Sequence, residues 1–228
     1  MKDIEVIVSL QIMFGSARDQ GQRPTCLAFA ASDAHAAIRD GWVPLSCEYA
    51  FYHAQRRANS SSEAGATLTT MLAALKFDGQ PEESGWIYSS VNPPNDGAWA
   101  PPAQISEIFH CDGQVCQYAL DQIIVQLEKN IPVIVLLKLS RSFYSPSANG
   151  VVNAAIGEQP EPERRHAVVA VGHGYFGDQR ALLIRNSWGE QWGQSGFAWL
   201  TEQFLEPRLF GAAVLHRETN VPTNSVSA

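Results

Sequence analysis

Asp19-Gln20-Gly21-Gln22-Arg23-Pro24-Thr25-Cys26-Leu27-Ala28-Phe29 leads through a Gln-Gly turn to a cysteine at the head of an alanine-rich run. Pro24 has a fixed φ and no N–H to lose, which suits a first helical turn, and no glycine interrupts the chain from Thr25 until Gly41. The stretch predicts a helix of about four turns that begins near Cys26 and ends at Asp40-Gly41, where glycine takes a left-handed closing conformation. Ala28, Ala30, Ala31, Ala34, Ala36 and Ala37 leave little side-chain bulk, so other elements can approach closely and the helix reads as buried and central. In its first turn, the unpaired N–H groups and the positive end of the helix dipole favour a thiolate at Cys26, the form that attacks carbonyl carbon. A core cysteine fits the same stretch. Deciding between the two needs a base and an oxyanion donor elsewhere in the chain.

Upstream, Val6 to Met13 alternates closely enough for a strand or extended arm, and Gly15 to Gln22 is a polar loop. Downstream, Ser46 caps a second helix running through about Arg57, and Asn59 to Ala66 is a Ser/Gly-rich loop. Thr67 or Thr69 caps a third helix, Met71 to Phe77, stopped near Gly79-Gln80-Pro81. Pro93, Pro94, Pro101 and Pro102 make Gly85 to Pro102 irregular, a surface wrapping of the first half. Beyond Gln117 the pattern changes. Helical spacing through Leu120, Ile123, Ile124 and Leu127 precedes a buried strand within Ile131 to Leu139. Short β-rich runs follow at Val151-Val152, Ala167 to Val171, Ala181 to Arg185, Phe197 to Leu200 and Gly211 to His216. The expected fold class is α+β in a single domain: a mainly helical lobe over about 12–116, and a β-rich lobe over about 117–216 with an N-terminal arm 1–11. A frayed tail, 217–228, closes the chain.

A chain of 228 residues, 45% hydrophobic and 17% charged, can bury a sizeable core. Its net charge of -7, with Arg56-Arg57 and Arg164-Arg165 the basic pairs, argues against nucleic acid as a partner. No run approaches the roughly 20 apolar residues that span a bilayer, so no membrane partner is expected. The acidic flanks of the N-terminal apolar run do not suit a secretory signal, and the expectation is synthesis in the cytoplasm. Cys26, Cys47, Cys111 and Cys116 are too few and too scattered for a disulfide scaffold, although Cys111 and Cys116 could close a small loop under oxidation. No close Cys or His pairing suggests zinc, and neither a metal nor a cofactor is expected.

Two later stretches supply what Cys26 needs. In Arg165-His166-Ala167-Val168-Val169-Ala170-Val171-Gly172-His173-Gly174 a histidine opens an apolar strand, where a rigid backbone can aim it into a cleft. A neighbouring thiolate can keep such an imidazole charged, and the pair makes cysteine nucleophilic at neutral pH. In Arg185-Asn186-Ser187-Trp188-Gly189-Glu190-Gln191-Trp192-Gly193 an amide follows a strand and precedes two tryptophans. The Asn oxygen can accept a histidine N–H and fix the ring, while a tryptophan laid over that bond excludes water.

Together these stretches resemble the papain-like cysteine peptidases. Gln20 stands ahead of Cys26, His166 opens His-Ala-Val-x-x-Val-Gly-x-Gly, and Asn186-Ser187-Trp188-Gly189-x-x-Trp192-Gly193-x-x-Gly196 follows. The Cys26 to His166 spacing lies within the roughly 130 to 150 positions usual for that family. The resemblance covers about residues 12–216 and implies a two-lobe fold with the active site in the cleft between a helical and a β-barrel-like half. It implies a thiol endopeptidase acting on a peptide or protein substrate. Cys26 would be the nucleophile, His166 the base and then acid, and Asn186 the residue that orients His166. Gln20 would be an oxyanion donor beside the Cys26 N–H, and Trp188 a shield. Pro24, Gly65 and Trp188 would line the substrate's path.

The departures from the family pattern are local. Arg23 replaces a cysteine that forms a disulfide in secreted members, which fits a reducing compartment. Pro24 replaces a glycine and fills one wall of the cleft, and Leu27 replaces a tryptophan. Arg165 precedes the histidine where relatives often have Asp, and a nearby guanidinium would lower the histidine pKa. Cys47 reads as helix core and His173 as a structural residue, while His35, His53 and His110 fall in no motif. Only 25 residues precede Cys26, so the long inhibitory propeptide common in the family is not expected. Control would then fall to a regulatory or inhibitory protein partner, to a restricted substrate or to delivery elsewhere, unless the chain is an excised domain. The same nucleophile would also serve as an amidase or acyltransferase on a non-protein substrate, and a catalytically silent binding module would keep the fold without the reaction.

Overall fold

The alanine-rich run forms α1, Cys26–Ile38, in a computed structural model that describes residues 3–39, 41–94, 97–105 and 107–216. Every residue from Leu27 to Ala37 is buried, so the helix is packed on all sides as its small side chains allow. Thr25 takes the N-cap and Cys26 is the first helical residue. Pro24 therefore stands outside the helix, not in its first turn: the Thr25 N–H bonds back to the Arg23 carbonyl at 2.8 Å and folds the chain into a tight turn there. The helix stops at Ile38 because Arg39 is already extended, earlier than the expected Asp40-Gly41 end. Asp40 and the expected tail at 217–228 lie outside the described residues.

Two further helices pack beside α1. In α2, Cys47–Ala58, the Ser46 hydroxyl accepts the Tyr49 N–H at 3.1 Å, and in α3, Leu68–Phe77, the Thr67 hydroxyl accepts the Thr70 N–H at 3.3 Å. Each satisfies an end donor that the helix cannot bond internally. The proline-rich segment does more than wrap the surface: Trp99 is buried and its indole N–H donates to Glu48 Oε1 of α2 at 2.7 Å.

The β-rich part comprises β1 (Ile4–Ser9), β2 (Gly113–Cys116), β3 (Val133–Lys138), β4 (Val151–Val152), β5 (Arg165–Phe176), β6 (Gln179–Arg185), β7 (Phe197–Thr201) and β8 (Leu209–Leu215). They form one sheet in the order β2-β8-β3-β5-β6-β7-β4, with β1 paired to the second half of β5. All pairs are antiparallel except β4 with β7. Strand β2 falls before the compositional change at Gln117; half-exposed and only four residues long, it carries too little pattern to be read from sequence. Helix α4 is Leu120–Glu128, and two short helices, α5 (Arg141–Tyr144) and α6 (Glu202–Leu205), occupy stretches to which the sequence pattern assigns no element.

Strand β5 runs past its expected end at Val171 because β1 lies directly against it. A Cβ added at Gly172 would meet the Val8 carbonyl oxygen at 2.4 Å, and one at Gly174 would meet that of Glu5 at 2.1 Å. The glycines of Val-Gly-His-Gly are thus required by a backbone crossing. All four cysteines are free; Cys111, buried, donates to the His216 carbonyl at 3.2 Å, and Cys47 is core.

The loop leading into β5 hangs on Glu158. Its carboxylate accepts the N–H and hydroxyl of Ser142 and the Ala155 N–H, with the two N–H bonds each 2.8 Å. Desolvation works to raise this carboxyl, and those donors outweigh it, holding it down at about 2. A depressed carboxyl contributes stability that is complete above the ordinary glutamate value of 4.5 and is lost as pH falls through about 2. Glu158→Gln should therefore lower the melting temperature at pH 7 and flatten its dependence on pH between those values. Thermal unfolding across that range checks both.

Candidate active site

Cys26 opens onto a cleft of ≈ 690 Å³. One wall comes from the helical side, with Gln20, Pro24 and Gly65, and the other from the sheet side, with His166, Trp188 and Phe210. Backbone N–H groups of Ala167, the residue after His166, and of Leu27 and Cys26 at the head of α1 favour the Cys26 thiolate. Burial raises the Cys26 thiol pKa, and those N–H groups oppose it.

His166 is the second residue of β5, and its partner comes from the segment just after β6. His166 Nε2 donates to Asn186 Oδ1 at 2.7 Å, and the same oxygen accepts the Ser187 N–H at 2.9 Å, which fixes the amide's orientation. Nδ1 is left as the basic nitrogen for the cleft. Burial pushes the imidazole down to about 4, and the Asn186 bond partly offsets this. Taken singly, thiol and imidazole both favour their neutral forms; as an ion pair they gain a mutual attraction that neither has alone. Arg165, whose guanidinium lies over the Phe210 ring in the same cleft, does not produce the lowering expected of it: burial sets the shift.

An aromatic enclosure surrounds this pair. Trp188 lies 4.8 Å from the His166 ring, Phe143 of α5 meets both rings edge-on, and Tyr144 stacks on Trp188 at 5.5 Å. Phe143 and Tyr144 were missed by sequence reasoning because Arg-Ser-Phe-Tyr is too short to show a period.

Gln20 is held at both ends of its amide. Its Oε1 accepts the Ser187 hydroxyl at 2.7 Å, and its Nε2 donates to the Arg23 carbonyl at 2.9 Å, leaving the second N–H for a ligand. Arg23 does more than mark a missing disulfide. Buried, it forks onto Glu48 at 2.6 and 2.9 Å, an ionic tie between the loop of Gln20 and α2. Gly65 leaves the cleft open: a Cβ there would meet only the Pro24 carbonyl, at 4.0 Å. His173 lies on the far half of β5, 3.7 Å from Glu128, and does not line the cleft.

Comparison with known proteins supplies the family. Residues 10–206 match the papain family cysteine protease signature. The chain belongs to the papain family. A cysteine protease of Blomia tropicalis is 24% identical over 199 residues, 80% of this chain and 56% of the relative. A KDEL-tailed cysteine endopeptidase of Arabidopsis thaliana is 23% identical over 194 residues, 83% and 52% respectively. The chain thus spans about half the length of these curated relatives. Among solved structures, xylellain, a cysteine protease of Xylella fastidiosa, superposes with a TM-score of 0.79 at 19% identity, covering 94% of this chain and 88% of that one. The proform of the ragweed pollen protease Amb a 11 superposes with 0.73 at 21%, covering 94% and 66%. The two-lobe papain fold accommodates the α1 helix and the eight-stranded sheet on opposite sides of the cleft.

Proposed function

We propose that the chain is a thiol endopeptidase that hydrolyses peptide bonds through an acyl-enzyme thioester. The observation that carries the reading is the common cleft: a cysteine at the head of a buried helix opens on it beside a histidine already held by an asparagine at 2.7 Å. His166 Nδ1 takes the Cys26 proton as the sulfur attacks the scissile carbonyl. The tetrahedral oxyanion is received by the Cys26 N–H and the unused N–H of Gln20, donors of a kind each worth about 3 kcal/mol of barrier. His166 then gives its proton to the departing amine. Water attacks the thioester with His166 as base, returning the thiol. Trp188 and Phe143 keep bulk water from the His166–Asn186 bond. The opening at Gly65 lets an extended peptide lie against the helical wall.

An epoxysuccinyl thiol-protease inhibitor under reducing conditions should label Cys26 alone, and a proteome-derived peptide library should be cleaved internally. An unlabelled Cys26 would sink the reading. Labelling without peptide cleavage would move the substrate to a non-protein amide or ester.

A further inference from the structure

Asp33 lies on α1 about two turns beyond Cys26 and is buried. Its Oδ2 accepts Arg185 Nε at 2.7 Å, and its Oδ1 accepts the Arg18 guanidinium at 2.6 and 3.1 Å. Arg185 is the last residue of β6 and immediately precedes Asn186; its remaining nitrogens donate to the Gly15 and Ser16 carbonyls at 2.6 and 2.7 Å. Arg18 also reaches Glu83 at 3.1 Å and leads directly to Gln20, while its carbonyl accepts the Gly189 N–H beyond Trp188. One carboxylate therefore joins the helix of the nucleophile, the strand end that carries the orienting amide and the loop of the oxyanion donor.

We propose that Asp33 is a positioning residue, setting Cys26 in register with His166–Asn186 and Gln20. The claim rests on the thiol chemistry proposed above. Its physical ground is the composition of α1. Helix α1 packs on β5, and more than half of its buried residues are alanines, Ala30 and Ala34 among them, whose short side chains each make few contacts that could fix the helix's position along the strand. Apolar packing has no direction, whereas a carboxylate gripped by two guanidinium groups does. Burial opposes the charge on Asp33, and Arg18 and Arg185 more than offset it, so the group remains a carboxylate in the folded protein.

The test compares Asp33→Asn with Ser32→Ala. Ser32 is buried on the same helix and accepts from Gln80 Nε2, so its loss removes a buried hydrogen bond away from Asp33. Per inhibitor-titrated site, Asp33→Asn should lower kcat by about tenfold or more, as sub-ångström misplacement does, with KM changed less than about twofold. Ser32→Ala should lower the melting temperature and leave kcat in place. Asp33→Glu, which keeps the charge, should recover part of the loss. The rate of Cys26 alkylation by iodoacetamide, corrected with Cys26→Ala, should fall in parallel. An Asp33→Asn protein with wild-type kcat and alkylation rate per site overturns the proposal, whatever its melting temperature. If Asp33→Asn accumulates only unfolded, Arg18→Lys, which keeps charge but loses the fork, is read by the same criteria. Wild-type protein that cleaves no peptide sinks the endopeptidase reading, and the alkylation rates then decide this one.

Discussion

His166→Ala is expected to lower kcat/KM for peptide hydrolysis by about 10²- to 10⁴-fold, the range that positioned acid–base groups supply. In the proposed reaction one ring has a double duty: Nδ1 would take the thiol proton and later deliver it to the amine, while Nε2 is committed to Asn186 at 2.7 Å. No other histidine can substitute, since among the described residues His166 is the one imidazole that lines the cleft. The fold should survive. The ring's contacts with Phe143 and Trp188 are each worth about 1 kcal/mol, small against the roughly 5 to 15 kcal/mol that hold a domain folded. Far-ultraviolet circular dichroism and a melting curve check this beside the kinetics. Retention of more than about a tenth of wild-type kcat/KM, against the range usual for such groups, would remove His166 from the chemistry.

Glu48→Gln should be the most destabilising of the conservative substitutions, at about 3 to 5 kcal/mol. Arg23 is only 2% exposed, and its guanidinium would remain charged with its forked partner gone. Two further donors lose an ionic acceptor at the same stroke, the Trp99 indole N–H at 2.7 Å and the Ser89 N–H at 3.3 Å. In a chain of this length, a melting temperature lower by roughly 10 °C is expected. Activity should fall as well, because the Arg23 carbonyl anchors the Gln20 amide. The joint replacement Arg23→Met with Glu48→Leu should be closer to wild type in stability than either single change, since removing both charges leaves neither one buried and alone. Denaturant titration of the four proteins measures the coupling. Additive losses would show that the pair is not a unit.

The residues proposed for the chemistry are legible in sequence for a specific reason. Cys26, His166 and Asn186 each stand at the boundary of a regular element, and such boundaries are written locally: alanine periodicity after Cys26, an apolar β run after His166, and a Trp-Gly turn after Asn186. The same locality made Ser46 and Thr67 readable as caps. Where the local signal was weak the reading failed. The short helix that supplies Phe143 and Tyr144 shows no period, and the φ of Pro24 fits a helix although the Arg23 carbonyl turns the chain just before one begins.

What the sequence by itself determined was therefore the class of chemistry and the order of its parts along the chain. The tertiary structure alone decided how those parts are held. Glu48 reaches Arg23 across 25 positions, Ser187 reaches Gln20 across 167, and Asp33 reaches Arg185 across 152. No periodicity or motif encodes such pairs, because a buried charge is tolerated only where a distant segment brings its partner, and that meeting exists only once the chain has folded.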